Sequence, residues 1–282
     1  MRTVMRTEAL CQQATNGKLC GMGTQGELEL IRSVMKGRTR AALTGPAAAR
    51  WIGLPTLDHV TVVDLRFRSG ANAYGKLQDP RVVYRSGTVE EGFLEKDGVA
   101  YVKPIRMLFD TFRYYGELAA LVSMEAIRFH YNVSVEQLLY NAESLPSSNG
   151  IRAFKDLIRF SAGTSQSPLE TIGRAKILKA DLPEIQKIEF QVSFEYARPF
   201  GEHRTAVVDA LINGWLVVEL DGRLKYDGTY GAPTDVMLAE LERQKQLQNL
   251  GLTVIRAGWR DVMGGKLIDD IRRVLRAHPK AA

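Results

Sequence analysis

The sequence predicts a protein of mixed α and β structure that folds as two domains. The chain has 282 residues, of which 45% are hydrophobic, enough for one large or two ordinary domains. Segments with helical spacing alternate with segments of strand spacing along most of its length. Ser/Gly/Asn-rich stretches at residues 144–150 and 161–167 break this pattern. We therefore expect an N-terminal mixed α/β domain over residues 1–160 and a second domain over 161–282.

The N-terminal half combines short helices with strands that alternate apolar and polar residues. The segment that begins at Thr44 predicts a helix with Thr44 as its N-cap and Pro46 in its first turn. Ser134 is expected to begin a later helix. In order, the expected elements are a helix in GELELIRSVMK, a helix in TGPAAARWIGLP, strands in HVTVVDLRF, RVVYR and VAYVKP, one or two helices in PIRMLFDTFRYYGELAALVSMEAIRFHY, and helices in VSVEQLLYNAE and IRAFKDLIRF, the last of which could bridge the domains.

The C-terminal half has a clearer order, α-β-β-β-α-β-α. Its strand–helix–strand step implies that the last strand lies parallel to a neighbour and is reached by a right-handed crossover. Gly251 is expected to end the helix before that strand. The elements are a helix in SPLETIGRAKILKA, strands in KIEFQVSFEY, TAVVDALI and WLVVELDG, a helix in DVMLAELERQKQLQNLG, a strand in LTVIRAG and a helix in KLIDDIRRVLRA.

Three acids interrupt two apolar runs that flank Asn213-Gly214, the strongest short signal for a β-hairpin. Alternation places Asp209, Glu219 and Asp221 on one face of this hairpin and leaves the other face apolar. A strict two-residue turn would separate Asp209 from Glu219. The pattern therefore predicts a three-residue loop that includes Trp215, or a β-bulge.

Three converging carboxylates repel one another, and a divalent cation removes that conflict. Oxygen ligands suit Mg²⁺, with Mn²⁺ as the alternative, and such an ion activates water and polarises a phosphodiester. A set of salt bridges to Arg204, Arg223 or Arg256 would explain the same acids without catalysis.

Glu170 is a further candidate for this cluster. It follows Ser167 and Pro168 in the sequence SPLE, where Ser167 is the expected N-cap and Pro168 the first helical residue. The third helical position of Glu170 completes a capping box, so capping and metal binding are both open for this residue.

The order of these elements and acids resembles a known family. SPLE, VVDALINGWLVVELDG and AELERQKQLQNLGLTVIRAGWRDV together resemble the small domain related to very-short-patch repair endonucleases, within the PD-(D/E)XK, or restriction-endonuclease-like, superfamily. The resemblance covers residues 165–277. It implies a restriction-endonuclease-like α-β-β-β-α-β core in which Glu170, Asp209 and Glu219 hold the metal. Asp221 would be an additional catalytic acid.

The sequence departs from this superfamily at one catalytic position. The lysine that usually follows the hairpin glutamate by two residues is replaced here by Asp221. Lys225 is then the nearest candidate to stabilise the phosphate, with Arg243 and Lys245 on the following helix.

The first half resembles the region that commonly precedes this domain, in AbiEi-type antitoxin proteins. The residues that carry this resemblance are LTGPAAARWIGLP and the segment from VAYVKP to VSVEQL. Such proteins usually begin with a winged helix-turn-helix, which residues 1–40 do not show clearly. The resemblance implies DNA contact or regulation, with a cognate toxin protein as a possible partner.

The basic charge of the chain is concentrated in its first half. The net charge is +6 and the pI about 9.3. Residues 1–160 contain 21 basic and 16 acidic side chains, against 17 and 16 in residues 161–282. The densest patch, Arg32, Lys36, Arg38 and Arg40, is predicted to contact DNA phosphates, although a solvated helix face explains it as well.

Several function classes lack their signatures in this sequence. The two cysteines, Cys11 and Cys20, match no metal-site spacing, and no phosphate-binding loop or serine nucleophile elbow occurs. With no 18-residue apolar run and no signal peptide, we expect a cytoplasmic protein without membrane contact. The sequence thus favours a Mg²⁺-dependent DNA endonuclease, with a catalytically inactive DNA-binding regulator or antitoxin as the alternative.

Overall fold

The fold is of the mixed α and β class that the sequence predicts. The computed structural model describes residues 23–69, 79–86, 92–197, 203–222 and 243–278. The chain divides into two compact units, Met1–Pro168 and Leu169–Ala282. The division lies just after the predicted soft stretch 161–167, so the helix in residues 151–160 belongs to the first unit and does not bridge the two.

The first unit is built on a mixed sheet whose five described strands lie in the order β3-β2-β1-β5-β4. The predicted strands are present as β2, β3 and β5. The sequence reasoning did not predict β1 and β4. The strands are β1 (Ala41–Leu43), β2 (Val63–Phe67), β3 (Val82–Tyr84), β4 (Phe93–Lys96) and β5 (Val99–Val102).

The helices of the first unit follow the predicted order. The long apolar segment forms two helices, because Gly116 between them has a φ of 90°, which ends the first helix. Ser134 begins its helix with a complete capping box to Gln137, as expected from its position. The helices are α1 (Gly23–Met35), α2 (Gly45–Trp51), α3 (Pro104–Tyr115), α4 (Glu117–Tyr131), α5 (Val135–Ala142) and α6 (Ile151–Phe160).

A buried ion pair lies inside the first unit, and it changes the predicted role of Thr44. Thr44 occupies the N-cap position of α2, but its side chain does not cap the helix. The hydroxyl donates instead to Asp110 Oδ2 at 2.5 Å. Asp110 on α3 is fully buried and also receives two hydrogen bonds from Arg66 on β2, at 2.6 and 2.8 Å. The need to satisfy a buried carboxylate thus takes precedence over local capping.

The second unit contains a sheet in the order β6-β7-β8-β9, in which β8 and β9 are parallel as predicted. Its helix at residues 243–249 (α8) ends as expected at Gly251, which has a φ of 77°. The amides of Gly251 and Leu252 bond back to Gln248 and Leu247 in a Schellman motif. The other elements are α7 (Pro168–Lys179), β6 (Ile188–Ala197), β7 (His203–Ile212), β8 (Leu216–Leu220), β9 (Thr253–Ala257), α9 (Trp259–Gly264) and α10 (Lys266–Ala277).

Helix α7 packs directly on strand β8, which brings the first turn of α7 to the end of the hairpin. A Cβ atom added at Gly173 on α7 would lie 2.4 Å from Leu220 Cδ1 and 3.0 Å from Cδ2. This close approach explains a glycine within a helix, where it otherwise lowers stability. It also fixes Glu170, one turn earlier on α7, near the end of β8.

The first prediction tests this packing. Gly173→Ala should lower the free energy of unfolding of the second unit by about 1–3 kcal/mol, the usual cost of overpacking. Thermal unfolding followed by circular dichroism measures the change. Gly264→Ala is the matched control because nothing lies within 4 Å of its added Cβ atom. A Gly173→Ala variant as stable as the control would contradict the close approach.

The second prediction concerns the buried ion pair. Asp110→Asn should destabilise the first unit by about 3–5 kcal/mol, because it leaves Arg66 without its buried counter-charge. Urea denaturation measures this loss. Asp156→Asn removes an exposed carboxylate that pairs with Arg159, and it should change stability by less than about 0.5 kcal/mol. Equal stability of the two variants would refute the assigned role of Asp110.

Candidate active site

The loop of the β7–β8 hairpin has the three residues that the alternation predicts. Ala210 pairs with Val218 and Ile212 with Leu216, so residues 213–215 form the loop. The same register, continued by one residue, places Asp209 opposite Glu219. Two left-handed residues, Asn213 and Gly214, make the turn. The predicted facing of the two acids is therefore compatible with the hairpin geometry.

Asp209 lies where β7 and β8 separate, and neutral groups satisfy its carboxylate. Oδ2 accepts a hydrogen bond from the backbone amide of Leu220 at 2.7 Å. Oδ1 accepts one from the side-chain amide of Gln191, on the neighbouring strand β6, at 3.2 Å. The ladder between β7 and β8 ends at this point, because the Leu220 amide donates to a side chain.

Gln191 brings Glu170 and Asp209 to one point. Its Nε2 atom donates to Glu170 Oε2 at 3.1 Å as well as to Asp209 Oδ1. Gln191 has a φ of 54° in the middle of β6, a conformation that is rare and costly for a residue with a side chain. The two carboxylates, from α7 and β7, thus lie on either side of one amide nitrogen.

Glu219, the third predicted metal ligand, is held by two arginines. It is buried, and its Oε1 atom accepts a hydrogen bond from Arg243 Nη2 at 2.6 Å. Oε2 accepts one from Arg256 Nε at 3.0 Å. The alternative interpretation of the acids, an ion pair with Arg256, is therefore the one observed for Glu219. Arg243, expected to be an electrostatic partner, supplies the second pair.

The electrostatic environment of Asp209 is unfavourable for its charged form. Burial raises the pKa of Asp209 above its ordinary value, and the nearby charge of Asp221 adds to that increase. The hydrogen bonds from Leu220 and Gln191 and the charge of Arg243 oppose it, but burial prevails. Asp221 is half-buried at the end of β8, where its backbone amide donates to Ala257 at 3.1 Å.

The remaining candidate residues of this site are Lys225, Arg223 and Lys245. Lys225 and Arg223 lie outside the residues that the structure describes, whereas Lys245 is exposed on α8. Within the described ranges, no group of three His, Cys, Asp or Glu side chains has an arrangement that could hold a metal ion. Gln191 escaped the sequence reasoning because, as a polar residue on an alternating strand, it resembles Ser193 and Glu195.

Three of the four predicted DNA-contact residues line one cleft in the first unit. Arg32, Lys36 and Arg38 surround a cavity of about 520 Å³, with Arg68 at the end of β2 as a fourth cation. Arg40 is exposed but is not part of the lining. Arg68 was missed because it is distant in sequence from the others, and only the pairing of β1 with β2 brings it close.

The comparisons with known proteins give no match for this chain. No family model, no curated protein and no solved structure matches it. None of the helices among the described residues is long and apolar enough to cross a membrane. The resemblances stated from the sequence therefore remain predictions, and the function must be argued from the site itself.

The third prediction follows from the raised pKa of Asp209. Because the folded protein binds this proton more tightly than the unfolded chain, stability should fall as pH rises through and above the ordinary carboxyl range. Asp209→Asn removes this titration, so the stability of the variant should depend less steeply on pH between about 4 and 7. Denaturation of the two proteins across this pH range measures the difference. Equal slopes against pH would refute the assignment.

Proposed function

We propose that this protein is a metal-dependent DNA endonuclease whose centre is formed by Glu170 and Asp209. The observation that carries the proposal is the position of the Gln191 amide, within 3.2 Å of an oxygen of each carboxylate. A hydrogen-bond donor between two carboxylates occupies a place that a cation could take. Residues from β6, β7, β8 and α7 meet there.

The donor set fits a hard divalent cation. Carboxylate oxygens from Glu170 and Asp209, together with water and phosphate oxygens, are the ligands that Mg²⁺ or Mn²⁺ takes in nucleotide chemistry. When bound, the ion would polarise the phosphodiester and lower the pKa of an attacking water. Rotation of the Gln191 amide would present its oxygen in place of its nitrogen. Asp221 would orient the water near Asp209.

Arg243 is the best-placed source of the positive charge that the superfamily's lysine would supply. Its guanidinium lies 2.6 Å from Glu219, and its charge lowers the pKa of Asp209, so it is close to both acids. There it would stabilise the charge that develops on the scissile phosphate. Glu219 then acts by orienting Arg243 and Arg256, and Lys225 remains a further candidate for this role.

The pairing of Glu219 also favours a second candidate function. With both oxygens bound by arginines, Glu219 reaches a metal only by exchanging one of them. A domain in which this pairing is permanent would be a catalytically inactive DNA-binding regulator or antitoxin. In such a protein Arg32, Lys36, Arg38 and Arg40 would contact DNA phosphates, and a toxin protein would be the partner.

The fourth prediction separates these two functions with a plasmid-nicking assay in the presence of Mg²⁺ or Mn²⁺. The wild-type protein should nick DNA, and Asp209→Asn and Glu170→Gln should each lower the rate by about a hundredfold or more, because the bound ion supplies several kcal/mol of the rate enhancement. Glu195→Gln on β6 is the matched control, an exposed carboxylate outside the site.

Two readouts distinguish failure of the endonuclease proposal from failure of the assay. Mn²⁺ binding, measured by electron paramagnetic resonance, should be lost in Asp209→Asn and kept in Glu195→Gln. A wild-type protein that binds neither ion, nicks no DNA, and still binds DNA with a steep salt dependence would be the regulator.

A further inference from the structure

The cleft in the first unit combines cations from three separate elements. Arg32 and Lys36 lie at the end of α1, Arg38 lies in the turn that follows, and Arg68 follows β2. In this part of the chain, no carboxylate within the described ranges forms an ion pair with Arg32 or Lys36. Arg38 pairs with Asp79 at 3.3 Å, and Arg68 donates a hydrogen bond to the Thr39 carbonyl at 3.5 Å. The cleft thus presents positive charge that the first unit does not use internally.

Aromatic rings hold two of these guanidinium groups in place. The Arg32 guanidinium lies 5.5 Å from the centroid of the Trp51 ring, and that of Arg68 lies 5.4 Å from the centroid of Phe93. Trp51 is only 4% exposed and donates to Lys96 O at 3.2 Å, so its ring is fixed between α2 and β4. Stacking preorganises the planar guanidinium groups, which favours bidentate binding of an anion.

The lining of the same cleft also includes two carboxylates. Glu95 on β4 and Asp97 in the β4–β5 turn line it, and both are exposed. Asp97 and Gly98 both have positive φ, at 51° and 73°, which is the geometry of a tight two-residue hairpin turn. Carboxylates do not favour the binding of inorganic phosphate, because the two anions repel each other. A ligand with an anionic group and nearby hydrogen-bond donors would bind both the cations and the carboxylates of this cleft.

We propose that this cleft binds a nucleotide. Arg32, Lys36 and Arg68 take the phosphate, which guanidinium and ammonium groups recognise. Glu95 and Asp97 accept hydrogen bonds from the ribose hydroxyls or from an amino group of the base, as acids do with the cytosine amine. The volume of about 520 Å³ lies within the range of small-ligand sites.

A nucleotide can come from two sources, a free nucleoside phosphate or one unit of a single strand. For the second source the inference rests on the proposed nucleic-acid function, and it deepens that function. Arg32, Lys36 and Arg68 then bind one exposed nucleotide of the strand and do not simply contact the duplex backbone. For the first source the cleft is a separate ligand site that needs no cleavage activity.

The fifth prediction tests this site by calorimetric titration of the full-length protein. The probes are the four common ribonucleoside monophosphates, inorganic phosphate, a single-stranded DNA of about ten nucleotides and a duplex of the same length. At least one monophosphate or the single strand should bind with saturation, and more tightly than inorganic phosphate. Binding of monophosphates assigns a free nucleotide, whereas binding of the single strand alone assigns a strand-bound one.

Variants then assign the binding to the cleft. Arg32→Glu and Lys36→Glu should each weaken binding about tenfold or more, since a hydrogen bond to a charged group contributes about 1.5–3 kcal/mol. Arg152→Glu on α6 makes the same change in net charge away from the cleft and should alter binding by less than about twofold. Glu95→Gln should reduce the preference for nucleotide over inorganic phosphate.

Three outcomes would overturn the inference. They are equal binding of inorganic phosphate and nucleotide, equal weakening by Arg152→Glu, and binding of duplex DNA alone, which would indicate an open electrostatic surface. Calorimetric titration of the Asp209→Asn variant with nucleotide separates this inference from the nuclease proposal. If that variant and the wild type bind nucleotide equally and neither wild type nor variant nicks DNA, the nuclease fails and the cleft assignment stands. Nicking by the wild type without any nucleotide binding would give the reverse result.

Discussion

A carboxylate removed from water has to be compensated, and the ways in which this chain meets that requirement organise both units. In the first unit Asp110 accepts two hydrogen bonds from Arg66. In the second unit Glu219 accepts one each from Arg243 and Arg256. Asp209 is different, because its hydrogen-bond donors, the Leu220 amide and Gln191, are neutral. Burial therefore raises the pKa of Asp209, and under the proposed function a cation would compensate the charge of this carboxylate.

Gln191 connects Asp209 to Glu170 through one side-chain amide. Its left-handed backbone, within a strand that keeps the same pairing with β7 on both sides, turns its amide toward Glu170 and Asp209. A conformation of this kind costs about 1–3 kcal/mol and persists only where the surroundings enforce it. Two hydrogen bonds to carboxylates compensate for part of that cost. The strain thus lies at the carboxylate pair and not elsewhere on the strand.

The periodic features of the sequence predicted most of the fold, because period and turn chemistry are local. The face pattern of the hairpin required a loop longer than Asn213-Gly214, and the structure has residues 213–215 there. Thr44 was misassigned as a helix-capping side chain because its competitor, Asp110, lies 66 residues away in sequence. The same limit applies to the site. Asp209 and Glu219 could be placed on one face from alternation, but the engagement of Glu219 by Arg243 depends on how α8 packs.

The packing of α8 connects the stability of the second unit to the chemistry proposed for it. Leu247 on this helix is buried in a core with Leu211 and Val217, one from each strand of the hairpin. Arg243, one turn earlier on the same helix, reaches Glu219 at the end of that hairpin. The positive charge beside Glu219 is thus carried by a helix that packs on the hairpin through apolar contacts. The position of the Arg243 charge therefore depends on the hydrophobic core against which α8 packs, and under the proposed function the packing of α8 would matter for catalysis as well as for stability.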